Sequence, residues 1–63
     1  MENKLERVYM VTIVDGLDAQ VLNFGTDLSI ALEVQERLSY FFSKQGLELE
    51  AIFDAKTIDK AGE

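Results

Sequence analysis

The chain has 63 residues, with twelve Asp and Glu against six Lys and Arg, a net charge of −6, and no Cys, His, Trp or Pro. Without Cys or His there is no disulfide staple, no ordinary zinc or haem ligand set and no Ser/His or Cys/His nucleophile. Six scattered cations among twelve carboxylates do not form the basic patch that nucleic acid requires, so direct nucleic-acid binding is not expected.

The first strand signal is Leu5–Asp15, LERVYMVTIVD, rich in β-branched and aromatic residues and free of breakers. Leu5, Arg7, Tyr9, Val11 and Ile13 share one face; Glu6, Val8, Met10, Thr12 and Val14 share the other. Both faces are mainly apolar, which predicts a central strand covered on both sides. DGLD then marks a turn, and residues 19–25, AQVLNFG, return as the second strand of a hairpin.

Asp27 is the expected N-cap of a helix that runs to about Gln45 and stops at Gly46. At 100° per residue, Ala31, Val34, Leu38, Phe41 and Phe42 form its apolar stripe, with Ile30 at the margin. Glu33, Glu36, Arg37 and Lys44 take the opposite side, and Tyr40 falls among them. Residues 47–55, LELEAIFDA, alternate as a third strand, with Leu47, Leu49, Ala51 and Phe53 inward and Glu48, Glu50, Ile52 and Asp54 outward. Residues 1–4 and 56–63 are expected to be flexible tails of a single small domain.

This order predicts an α+β fold, β-β-α-β, with a three-stranded antiparallel sheet in the order 2-1-3 and one helix on one face. The other face keeps apolar side chains for which the chain has no second layer. That face, or a strand edge, is the expected contact surface. Size points the same way. A chain this short hides only about 60% of its unfolded surface. With no staple available, a homo-oligomer or an obligate protein partner is expected.

Catalysis is not expected. Glu48 and Glu50 lie on one strand face at roughly 6.8 Å spacing, but alternating Glu is the ordinary solvent-facing pattern, and one helix on one sheet leaves little interior for a pocket. Asp15, Asp18 and Asp27 stand at turns and a cap, and DGLD lacks the alternating ligands and distal Glu of a calcium loop. The glycines stand singly at element ends and form no phosphate loop. No cofactor or metal is expected.

Two features invite a partner. Glu48, Glu50, Ile52 and Asp54 make a mixed apolar and acidic strand face, which reads as a protein contact, as a solvated edge charged against aggregation, or as a mimic of nucleic-acid phosphates. Tyr40 reads either as a ring supported by Glu36 and Lys44 along the helix or as an exposed anchor for a partner, with Leu32 also pointing away from the stripe.

The MENKLERV start lacks an apolar segment and the apolar runs are short, so neither a signal peptide nor a membrane span is expected. The absence of Cys fits a reducing cytoplasm.

In FGTDLSIALEV (24–34) and QGLELEAIF (45–53) the layout resembles small phage-encoded inhibitors of host proteins, the T7-type inhibitor of bacterial RNA polymerase among them. The shared pieces are a hairpin, a threonine-started helix with an Ala-Leu-Glu step, and a strand after a glycine. The chain lacks the tryptophan and the last-strand arginine of that family, so no polymerase contact is carried over. The resemblance implies a cytoplasmic viral protein that binds and inhibits a bacterial host protein. A homodimer with a structural role, and a DNA mimic acting on a nuclease or repair enzyme, are the alternatives.

Overall fold

A computed structural model of the chain describes residues 5–59. It contains β1 (Leu5–Asp15), β2 (Asp18–Asn23), α1 (Leu28–Gln45) and β3 (Glu50–Asp59), with the strands antiparallel in the order β2-β1-β3. The expected topology is therefore the observed one, with the doubly apolar strand in the middle; the expected cover on both of its sides is not found, since the one layer over it among the described residues is α1.

Gly16 and Leu17 close the β1–β2 hairpin between the paired residues Asp15 and Asp18. Gly16 stands at φ +62° while Leu17, like every other non-glycine among the described residues, has no positive φ, which is the pattern of a type II′ turn with glycine first. Its twist matches that of the flanking strands, so the register is fixed at the turn. At the far end of the hairpin Phe24 donates its main-chain N–H to Tyr9 (2.9 Å), and Tyr9 donates to the carbonyl of Gly25 (2.8 Å). Two residues there oppose one, which bends the chain out of the ladder and into the helix.

The helix has the expected ends. The Asp27 carboxylate accepts from the N–H of Ile30 at 3.1 Å, filling one donor of the open first turn. Gly46, at φ +67°, donates to Ser43, and Leu47 donates to Phe42, closing the other end in a Schellman arrangement. Asp27→Ala is expected to cost about 1 kcal/mol. For a domain of this size that lowers the midpoint of thermal unfolding, read by circular dichroism, by about 4–8 °C.

The core is small. Val11, Ala31, Phe42 and Ala51 are buried, and Ile13, Phe24, Leu38 and Leu49 pack partly buried around them. Tyr9 and Phe53 extend this layer as a stacked pair with ring centroids 6.0 Å apart. The odd-numbered residues of β1 thus face the helix, as do Ala51 and Phe53, in agreement with the alternation of the sequence.

Three expectations need correction. Phe41 does not belong to the buried stripe; it is 52% exposed and touches the core only through an edge-to-face contact with Phe42 at 6.2 Å. Gln35 faces the sheet instead, donating from Nε2 to the main-chain carbonyl of Ala51 (2.9 Å) and to the Ser39 hydroxyl (3.0 Å). The buried line of the helix is centred on Ala31, Gln35, Leu38 and Phe42, with Val34 half-buried beside it and Phe41 turned outward.

Second, β3 starts at Glu50 rather than Leu47, because the Schellman turn and the climb down from the helix consume residues 47–49. Third, Lys56, Thr57, Ile58 and Asp59 are strand rather than tail, since the first residues of the long β1 pair with them: Leu5 with Asp59, Glu6 with Ile58, Arg7 with Thr57, Val8 with Lys56. Residues 1–4 and 60–63, the rest of the expected tails, lie outside the described residues.

Candidate functional site

The face of the sheet opposite the helix is built by the even-numbered residues of β1 and their cross-strand neighbours. Met10 lies between Asn23 and Asp54, Thr12 between Val21 and Ile52, and Val14 between Ala19 and Glu50; Val8 pairs with Lys56. Val8, Met10 and Val14 are half-buried by their neighbours alone, while Val21 and Ile52 are exposed on either side. Nothing among the described residues forms a second layer over them. The molecule is 11 Å in its thinnest Cα dimension, room for one helix on one sheet.

From Val8 to Val14 the apolar row is about 20 Å long and, with its flanking strands, about 10 Å wide. Its β3 border carries Glu50, Asp54 and Lys56. An apolar centre with a charged rim is the usual anatomy of a protein contact.

The residues singled out from sequence fall on two surfaces. Glu50, Ile52 and Asp54 lie on this open face, at its β3 border. Glu48 precedes β3, so it is not the strand neighbour of Glu50 that the alternation suggested. Leu32 and Tyr40 belong to the helix layer on the other side of the sheet. Tyr40 is 66% exposed, with the Lys44 ammonium 5.6 Å from its ring centroid. Arg37 and Glu33 form an exposed ion pair at 2.8 Å on the same outer side. Leu32 lies 80° around the helix from Tyr40 and toward the Gln35 flank. The structure does not bring the six residues into one site.

Sequence reasoning grouped Val8, Met10, Thr12 and Val14 on one face but did not place them, or Val21, among the binding residues. The usable signal was the same even-numbered alternation that defined β1. Gln35 was missed as well, although helical spacing aligns it with Ala31, Leu38 and Phe42.

An open depression of about 450 Å³ lies at the hairpin end, lined by Ile13, Asp15, Asp18, Ala19, Gln20 and Leu49. It offers two carboxylates, Asp15 and Asp18, and no hydroxyl, thiol or amine. No group of three or more His, Cys, Asp or Glu among the described residues is placed to hold a metal ion, and no helix there is long and apolar enough to cross a membrane. Compared with protein-family models, with curated proteins and with solved structures, the chain matches none.

Proposed function

We propose that the protein is a non-enzymatic, acidic protein-binding module whose working surface is the open face of the sheet. The observation that carries this reading is the unbroken row Val8, Met10, Thr12 and Val14, flanked by Val21 and Ile52, with no covering layer. Burying that row is worth roughly 25 cal/mol for each Å² of apolar surface removed from water. The Glu50 and Asp54 carboxylates at its border, on a chain of net charge −6, favour a partner that is apolar at the contact and basic at its rim. The layout shared with phage-encoded inhibitors makes a bacterial host protein the partner, in the cytoplasm, and occlusion of its surface the mode of action.

Affinity capture from bacterial lysate tests this with two variants. Ile52→Lys breaks the apolar face and is expected to lose the captured protein, while Tyr40→Ala, on the opposite layer, keeps it. Loss with Tyr40→Ala and retention with Ile52→Lys would move the binding surface to the helix.

A further inference from the structure

The two edges of the sheet are protected very differently. Because Tyr9 exchanges its main-chain bonds with the β2 side, the odd-numbered residues of β1 point their N–H and C=O groups toward β2 and the even-numbered ones toward β3. The register then turns the main-chain groups of Ala51, Phe53, Ala55 and Thr57 outward on β3, and those of Ala19, Val21 and Asn23 outward on β2.

On β3 the outward groups are partly occupied. Gln35 covers the carbonyl of Ala51 at 2.9 Å, and the Asp54 carboxylate takes the N–H of Ala55 at 2.8 Å. Glu50, Asp54, Lys56 and Asp59 add charge along the same strand. These are devices that keep an edge from pairing.

On β2 such devices stand only at the ends, with Asp18 at its start and the bulge of Phe24 and Gly25 beyond Asn23. From Ala19 to Asn23 the strand is AQVLN, without charge, proline or bulge. Its outward main-chain groups have no partner among the described residues, and the helix lies over β1 and β3, leaving β2 outside its footprint.

We propose that the β2 edge pairs with the β2 edge of a second copy of this chain, antiparallel and centred on Val21, to give a continuous six-stranded sheet. Among the possible two-fold registers, centring on Val21 alone uses every outward group: Val21 meets Val21 of the second copy, and Ala19 meets Asn23. That makes about six main-chain hydrogen bonds, against about four when the centre moves to Gln20 or Leu22. It also sets Gln20 opposite Leu22 on the helix side and separates the two Asp18 carboxylates to opposite ends of the contact. No like charges oppose one another across it.

A two-fold axis perpendicular to the sheet leaves both helices on one side. On the other side it joins the two open faces through the paired valines. The partner is a second copy rather than an unrelated strand because this register is self-complementary in bonds, side chains and charge. A chain of 63 residues with four buried core residues and no staple also has reason to share a sheet. The contact is made by the main chain of the β2 edge and shares only Val21 with the open face, so either assignment can fail alone.

Sedimentation equilibrium of the full chain is the test. The average mass is expected to rise from the 7.1 kDa of the monomer toward twice that value as the concentration is raised to about 0.5 mM, a range in which even a dimer of about millimolar affinity lifts it measurably. Val21→Pro removes an N–H that has no bond within the monomer, which an edge strand tolerates, and holds the mass at that of the monomer. Val21→Thr keeps the N–H and stays dimeric, as does Met10→Lys on the open face.

Should Val21→Pro fail to fold, amide exchange of the unaltered protein decides. Protection of Ala19, Val21 and Asn23 is expected to rise with protein concentration while that of Phe53 does not. A monomer throughout the concentration range, a folded Val21→Pro that remains dimeric, or protection at β2 that does not change with concentration, would overturn the proposal.

Discussion

Phe42→Ala is expected to remove more than half of the protein's stability at 25 °C. Phe42 is 7% exposed and is the largest of the four buried core residues, packed with Val11 and Ala51 where helix and sheet meet. Truncating a buried phenylalanine to alanine costs about 3–5 kcal/mol. At about 0.05–0.15 kcal/mol per residue, a chain of 63 residues holds about 3–9 kcal/mol in total. The loss therefore takes a large share of the whole, and the one helix has nowhere else to dock. Far-UV circular dichroism and urea titration check it: the native signal should be lost, or the midpoint should move to well under half its original value. The neighbouring Phe41→Ala, at an exposed position, is the internal comparison and should retain the native spectrum.

Met10→Lys is expected to abolish partner binding while leaving the fold intact. Met10 sits at the middle of the open face, in register with Asn23 on one side and Asp54 on the other. On the free protein a lysine there reaches solvent and the Asp54 carboxylate, so the cost to stability stays below about 1 kcal/mol. In the complex the same ammonium is driven into an apolar contact, against a partner whose rim is basic. Loss of the methionine burial together with an unpaired buried charge weakens binding by at least about a hundredfold, equivalent to about 2.7 kcal/mol. Isothermal titration of the captured partner with the two forms reads this directly, and unchanged thermal unfolding shows that the loss is local.

The fold was legible in the sequence because its main determinants are local. The breaker-free run of β1, Asp27 at one end of the helix and Gly46 at the other, and the period-two alternation of Leu49, Ala51 and Phe53 each specify their element without help from distant residues. Sequence reasoning failed where a long-range contact decided the outcome.

The rotation of α1 sets Gln35 against an edge carbonyl sixteen residues away, and hydrophobic periodicity alone ranks Phe41 ahead of Gln35 for the buried side. The extension of β3 through Asp59 depends on β1 being long enough to supply partners for it; KTID on its own carries little strand signal.

The open face proposed as the binding surface was half visible. The surplus apolar face of β1 could be read off the alternation, but the residues chosen for contact were conspicuous single side chains, Tyr40 and the outward acids. The structure puts Tyr40 and Leu32 on the far side of the sheet from Ile52. What defines the open face is a cross-strand grid, and a grid exists only once the register of all three strands is known.

The most direct test of the central claim, that the uncovered sheet face is where the protein meets its partner, is amide chemical-shift mapping of the isotope-labelled protein as the captured partner is added. Val8, Met10, Thr12, Val14, Val21 and Ile52 should shift or broaden first and most, with Leu32 and Tyr40 unmoved. Changes centred on Leu32 and Tyr40, with the sheet face silent, would contradict it.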